Sequence, residues 1–500
     1  MTDYDVVVIG AGNGGLTAAA TLAQKGLQVL LLEKHNIPGG CATSFCRGRF
    51  EFEVALHQLS GLGTPEKPGP LLNVLDELKV GTELNWLEMQ NLYRVILPGE
   101  LYLTLPANRE GCVAALKNRF PEEQEGIDGY FDLVYAFFYE LMRAFYMKDP
   151  EITAEKYPLY FKYALKNTAE VLAEFLHDPL LKLALSVYWC YIGLPPSRLS
   201  FTDMAALLFS YLEFKPFHLQ GGSQAISAAL LDQILQHGGS VRFNCAAKGI
   251  QVADGRVTGV YTQDDVLIKT RAVVSNVSSL DTYTELLDPA AVQPAKLQEL
   301  GSSTVGPSAF TIYVGLDCDP QEVGITEATN FICTGTDMDY AFARCRQLDT
   351  GDDALLLTCY DLVDPSFSPA GCAQVVIVDL KYSEPWESVP PQQYYQTKFD
   401  LAEKIIKRVD SLYRGFREHI EEIEVATPLT HMRYLGHPGG AIYGFDQYAK
   451  DSSLFVSHRS PVEGLYMAGA WAGSGGFQPT LNSGVQAARA VIRDLGRIAR

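Results

Sequence analysis

Five hundred residues exceed what one hydrophobic core holds, since single cores stop growing near ~250–300 residues, so two domains are expected. With 47% hydrophobic and 20% charged residues, the chain can build a sizeable interior. A formal net charge of −19, with no basic cluster set against it, excludes nucleic acid as a partner and argues against broad electrostatic docking on anionic lipid; hydrophobic contact with a bilayer stays open.

The ten cysteines include no C-x-x-C pair and no His/Cys cluster with ligand spacing; only Cys41 and Cys46 flank one loop. Neither a metal site nor a disulfide framework is expected, and reduced thiols point to the cytoplasm. The opening residues run straight into a strand, so no signal peptide and no secretion are expected. No apolar run approaches the ~20 residues of a membrane span.

In chain order, residues 4–9 (YDVVVI) predict a buried parallel strand. Gly10-Ala11-Gly12-Asn13-Gly14-Gly15 follows, then a helix over 16–26 closed by Gly26, then a second buried strand ending at Glu33. From about 120 to 215 the chain reads as helices dense in Phe, Tyr and Leu. Residues 218–239 form a Gly-punctuated helix, with strand signals at 241–244, 257–262 and 271–276. Short β runs at 309–316, 354–360 and 374–382 alternate with Asp/Pro/Gly turns and predict a mostly antiparallel second sheet. A helix near 393–413 follows, and residues 465–470 and 480–499 supply a last strand and helix. No repeat or low-complexity linker separates the domains, so one is expected to be inserted in the other. The expected class is α/β: a discontinuous Rossmann-like domain over 1–75, 216–285 and 440–500, and an inserted α+β substrate domain over 76–215 and 286–439, with antiparallel sheet and an aromatic-rich helical cap.

The first turn has dinucleotide chemistry. Gly10 permits the tight turn, Gly12 lets the backbone approach a pyrophosphate, and Gly15 allows close helix–strand packing. Exposed N–H groups at that helix start hold phosphates, and Glu33 can take both ribose hydroxyls. A second turn, Pro38-Gly39-Gly40-Cys41-Ala42-Thr43, stands where a simple NAD dehydrogenase would continue its crossover, and adds backbone donors along an extended ligand. The far end contributes the strand Gly464–Ala470, a Gly-rich bend, and a helix with Pro479 in its first turn and one buried face of Leu481, Val485, Ala488 and Ile492.

These residues carry a resemblance over nearly the whole length. The chain resembles the phytoene desaturase, carotenoid isomerase and retinol saturase group of FAD-dependent, amine-oxidase-like proteins. The Pro38–Thr43 turn resembles the group's second FAD-binding turn, and Phe52-Glu53-Val54-Ala55-Leu56-His57 its Phe-Asp-x-Gly-x-His stretch, with Glu for Asp and Ala for Gly as departures. Gly221-Gly222-Ser223, Ser275-Asn276, Ala426–Thr430 and the segment from Gly464 to Ala488 fall where the group has them. The resemblance implies FAD. It places Gly10, Gly12, Asn13, Gly14, Gly15, Glu33, Lys34, Gly39, Gly40, Cys41, Ala42 and Thr43 on the ADP half and pyrophosphate, and Ala247 at the adenine. Gly469, Ala470, Gly476, Phe477 and Thr480 are implied by the ribityl chain and flavin ring, where a helix N-terminus would stabilise negative charge at N1–C2=O.

The resemblance also implies an apolar polyene or isoprenoid substrate that is desaturated, saturated or isomerised. The helical region 120–215 would be its wall, and an amphipathic patch there could dip into lipid. His57 is the best single acid/base candidate, although a lone His there is more often a hydrogen-bonded core residue; His431 and His437 could shape the entrance, and no catalytic residue is assigned. No second G-x-G-x-x-G follows a strand, so electrons would pass to or from a quinone, oxygen, a redox protein or the substrate itself. Two alternatives stand. One is an amine or other small-substrate oxidase, which an aromatic cage at the flavin would favour. The other is a prenyl-lipid-binding chaperone like the Rab GDP-dissociation inhibitors, against which the intact glycines and Glu33 argue.

Overall fold

The computed structural model describes residues 2–147, 149–448, 457–473 and 475–498. Its first sheet is centred on Tyr4–Ile9, which pairs in parallel with Val29–Leu32 on one side and Leu267–Ser275 on the other. Ser240–Arg242 extends one edge in parallel, Leu465–Met467 pairs in parallel with Leu267–Ser275, and Arg256–Thr262 and Ala247–Ala253 continue antiparallel from the start of that strand. The unbroken apolar runs follow from burial on both faces. Val6, Val8 and Leu31 pack into one hydrophobic cluster with the helices, while Val7, Ile9, Leu30 and Leu32 pack into a second cluster behind the sheet.

The first helix spans Asn13–Gln24 and so starts three residues earlier than the periodicity predicts. Gly14 and Gly15 are drawn inside it because both are packed against backbone. The terminal helix, Phe477–Ile498, lies against it; Leu481, Val485 and Ala488 are fully buried, while Ile492 is half-buried at the rim. A Cβ at Gly484 would fall on the Gly14 carbonyl and Thr17, so these helices meet backbone to backbone.

The second sheet runs Ile420–Ala426, Ser308–Leu316, Ala373–Lys381, Leu355–Cys359, Thr329–Ile332, Asn91–Leu97 and Leu101–Pro106. Every pairing is antiparallel except that of Thr329–Ile332 with Asn91–Leu97. The hairpin 91–106 was not among the expected strands, although Arg94-Val-Ile-Leu and Leu101-Tyr-Leu-Thr-Leu flank a Pro-Gly turn. One face of this sheet carries the helix Pro391–Leu412 through Ile405, Ile406 and Val409; the other carries the helical cap. Most cap aromatics fill the cap's own core: Tyr130, Phe131, Phe137 and Phe201 are buried among the helices, and of the described residues between 120 and 215 only Trp189, Cys190 and Tyr191 reach the large cleft between the sheets. The expectation of a broad aromatic wall is therefore corrected. Several short helices cover one another's apolar stripes before any is left for a ligand.

A hairpin, Ser44–Arg47 with Phe50–Glu53, crosses from the first sheet to the second. Phe50 and Phe52 bury beside Tyr313 and Tyr360, and Arg47 pairs with Glu424 at 2.9 Å.

Candidate active site

A cleft of about 1200 Å³ runs along the C-terminal ends of the first sheet's parallel strands and on beneath the second sheet. Every sequence-predicted cofactor residue except Gly15 lines it: Gly10, Gly12, Asn13, Gly14, Glu33, Lys34, Gly39–Thr43, Ala247, Gly469, Ala470, Gly476, Phe477 and Thr480. Gly15 lies behind the turn, where a Cβ would sit 3.0 Å from the Gly10 carbonyl carbon; it is a packing glycine.

The two Gly turns are stitched together. Gly39 N donates to Ala11 O at 2.8 Å, and Gly12 bridges to Gly39. Thr43 Oγ1 donates to Gln224 Oε1 (2.7 Å) and Ser227 Oγ to Ala42 O (2.7 Å), pinning the second turn to the helix Ser223–Gln236. Glu33 is buried and accepts from Ala11 N (2.6 Å) and His35 N (2.8 Å), which leaves lone pairs for hydroxyl donors. Cys245 N donates to the Glu33 main-chain O at 2.9 Å, and Ala247, two residues on, lines the same cleft as Glu33. At the other end Gly469 N donates to Ser483 Oγ (3.0 Å), and Asn13 Nδ2 reaches Thr480 Oγ1 (3.5 Å).

A dinucleotide fits this floor. The first helix has Gly12 as its N-cap with no side-chain cap and no acid in its first turn, so its N–H groups await an anion. A Cβ at Gly12 would lie 2.9 Å from Asn276 Nδ2 and one at Gly14 2.6 Å from Gly469 N, so only glycine keeps the floor open. Asn13 Oδ1 is buried without a hydrogen-bond partner.

A model of the flavin containing amine oxidoreductase family matches residues 14–492. The chain belongs to this family. All-trans-retinol 13,14-reductase of Danio rerio is 26% identical over 506 residues, covering 93% of this chain and 82% of that protein. The chloroplastic prolycopene isomerase of Arabidopsis thaliana is 26% identical over 512 residues, covering 99% and 83%. An oxidoreductase from Methanosarcina mazei shares the fold, with a TM-score of 0.66 at 17% identity over 98% of this chain and 100% of that one. This chain is a flavin oxidoreductase, and its cofactor is FAD.

FAD supplies two-electron chemistry when bound; the protein positions it and controls polarity and access. Beyond Phe477 the cleft of this flavin oxidoreductase is walled by Trp189, Tyr191, Leu356, Leu380, Ile442 and Tyr443. Burial shapes its titratable groups. Burial pushes the Cys41 thiol up to about 12. His57, His431 and His437 are held at about 4, each by burial, so all three are neutral at pH 7. Asp379 is raised well above the ordinary carboxylate range by burial, and lies 3.4 Å from Lys381 Nζ, which also bonds Asp353 at 2.6 Å.

Several site residues gave no readable signal. Trp189, Tyr191, Thr311, Tyr313 and Tyr443 come from three separate segments, and only the fold assembles them. Glu53 is different. It is buried and accepts from Ala55 N (3.0 Å), Leu56 N (2.9 Å), Ser223 N (2.6 Å) and Ser223 Oγ (2.7 Å), tying the 52–57 stretch to the Gly221-Gly222-Ser223 turn. Both stretches stood out in the sequence; their joint was invisible there.

Proposed function

We propose that this flavin oxidoreductase acts on C–C or C=C bonds of a long apolar polyene or isoprenoid, by desaturation, saturation or cis–trans isomerisation. The observation that carries the proposal is the single cleft: its glycine-floored half continues without a break into an apolar and aromatic half. At about 1200 Å³ it exceeds the roughly 300–1,000 Å³ of ordinary small-ligand pockets, leaving room for a long second molecule beside the dinucleotide. The names of the two relatives, a retinol reductase and a prolycopene isomerase, support the same substrate class. In this reading residues 1–75, 216–285 and 440–500 carry FAD, with the glycines, Glu33 and the Gly469–Thr480 segment in the roles expected above. Residues 76–215 and 286–439 hold the substrate.

No helix among the described residues is long and apolar enough to cross a membrane. Met147, Phe161 and Leu165 are nonetheless 75%, 54% and 83% exposed at one end of the cap, beside Lys156, Lys162 and Lys166. This end is the proposed contact with a bilayer that delivers the substrate. Ten free thiols suit the cytoplasm. Electrons pass to or from a quinone, oxygen or a redox protein, and isomerisation needs no net flow.

Anaerobic mixing of the yellow, oxidised holoenzyme with partly saturated polyenes, and of the pre-reduced holoenzyme with fully conjugated ones, tests the reading. Flavin bleaching or recolouring, or product isomerisation by chromatography, is expected. Complete inertness toward every polyene and unsaturated isoprenoid would overturn it. Sedimentation with phosphatidylcholine vesicles should fall when Phe161 and Leu165 are both changed to Glu; equal binding would remove the membrane contact.

A further inference from the structure

We infer that His57 is a catalytic residue, the base that takes the proton released when a C–C bond of the substrate becomes C=C; this rests on the function proposed above.

The geometry singles it out. Glu53 clamps the chain at Ala55 and Leu56, so His57 leaves a rigid turn. Its Nδ1 lies 3.1 Å from the Tyr360 hydroxyl, and the two rings are parallel within 3° at 6.4 Å. That contact sets the ring, while no described residue bonds Nε2, and the half-buried imidazole lines the cleft. The loop that follows abuts the start of the terminal helix: a Cβ at Gly61 would lie 2.7 Å from Gln478 Nε2, next to Phe477. His57 thus stands at the proposed flavin end.

Three tyrosine hydroxyls of the cleft or its margin have partners of their own. The Tyr313 hydroxyl donates to Val54 O (3.2 Å), the Tyr443 hydroxyl to Cys190 O (2.7 Å), and the Tyr191 hydroxyl accepts from Gln58 Nε2 (3.1 Å). His431 sits on the helix Pro428–Leu435, outside the segment that Glu53 clamps. The ionisable groups around His57 are Tyr360, with His218 stacked on its far side at 5.5 Å, and Glu53 on its own segment.

The step balances. One C–H bond of the substrate gives up its electron pair as hydride to the oxidised flavin that the family supplies. The neighbouring carbon then releases a proton to His57 Nε2, and the electrons of that C–H bond become the π bond. The substrate loses two electrons, the cofactor gains two, and solvent finally takes the proton. Hydride loss makes the neighbouring C–H strongly acidic, so a base weakened by burial suffices. The same burial leaves His57 unprotonated at neutral pH, with no proton to give, so the residue serves the desaturating direction.

The holoenzyme carrying His57→Ala, and separately His57→Gln, tests this against a panel of partly saturated polyenes. Anaerobic flavin bleaching should slow ~10²- to 10⁴-fold. FAD content and the polyene-induced flavin spectral shift should stay within about twofold of wild type. Added imidazole should restore bleaching in His57→Ala. Tyr360→Phe, a positioning change, should alter the pH profile of bleaching more than polyene binding. Independently of turnover, diethyl pyrocarbonate should modify His57 in the apoprotein, and bound polyene should shield it, as read by peptide mass spectrometry. Wild-type bleaching rates in both variants, slow bleaching without imidazole rescue, or an unmodified His57 would each overturn the assignment. Bleaching by wild type but not by the variants separates this outcome from failure of the polyene reading, in which wild type is inert as well.

Discussion

Replacing Gly484 by Ala is the sharpest probe of how the two ends of the chain make one site. In an ordinary helix interior this change stabilises by ~1 kcal/mol, because alanine is the better helix former. Here the added Cβ would sit 2.8 Å from the Gly14 carbonyl carbon, where ordinary contact begins at 3.4 Å, so the helices Asn13–Gln24 and Phe477–Ile498 must part by at least about 0.6 Å. Overpacking of that kind costs ~1–3 kcal/mol. The Thr17 Oγ1 bond to Leu481 O (2.9 Å) lies in the same seam and contributes ~1 kcal/mol that parting weakens. The expected net effect is therefore a loss of about 1–3 kcal/mol, opposite in sign to the propensity effect. In the proposed site Gly14 lies on the phosphate floor and Thr480 at the flavin end, so the displacement should also reach FAD; at ~1.4 kcal/mol per tenfold, affinity should fall roughly 10- to 100-fold. Thermal melting of the apoprotein and FAD titration by flavin fluorescence measure both. A variant that melts at or above wild type and binds FAD equally well would refute the reasoning.

Other expectations follow from single groups. Glu53→Ala strips acceptors from Ala55 N, Leu56 N and Ser223 N, and at ~1–3 kcal/mol for each stranded donor should cost at least ~3 kcal/mol in urea denaturation; a loss under ~1 kcal/mol would mean the clamp is not formed. Glu33→Ala should weaken FAD at least tenfold through the lost acceptor and the unpaired Ala11 N–H, while Glu33→Asp should weaken it less; equal affinity in all three proteins would remove Glu33 from the site. His218 is 3% exposed, and burial lowers it from 6.5 to about 4 against the opposing pull of Asp364. Its folded value is depressed, so the unfolded chain binds the extra proton. Stability is complete above pH 6.5 and falls toward pH 4, by at most ~1.4 kcal/mol per pH unit from this residue. His218→Gln should flatten the pH dependence of the urea midpoint between 7 and 5, and an unchanged slope would show that His218 titrates normally.

The legible parts of the fold were those with local cause. A β-branched run, a glycine turn and an alanine-rich helix can form only one kind of unit, so residues 4–33 read directly as strand, turn, helix and strand. The hairpin 91–106 escaped because short strands are stabilised by the sheet they join: Asn91–Leu97 pairs with Leu101–Pro106 on one side, but its other partner, Thr329–Ile332, comes more than two hundred residues later. The aromatic region 120–215 misled for a related reason: composition marks a residue as buried, but not whether a ligand or a neighbouring helix buries it. Tyr130 and Tyr188 look alike in sequence to Tyr191, yet only Tyr191 lines the cleft.

By itself, the sequence determined the cofactor half of this protein. Phosphate binding needs a backbone that comes close, and glycines at the end of a buried strand with an acid after the next strand suffice to specify that geometry within thirty residues. Tertiary structure alone decided the rest. The terminal helix reaches Gly14 only because Gly484 lacks a side chain, and His57 is oriented by Tyr360, 303 residues away, on a turn whose Glu53 is itself tied to Ser223, 170 residues from it. Such contacts depend on three-dimensional proximity, and no local pattern in the chain records them.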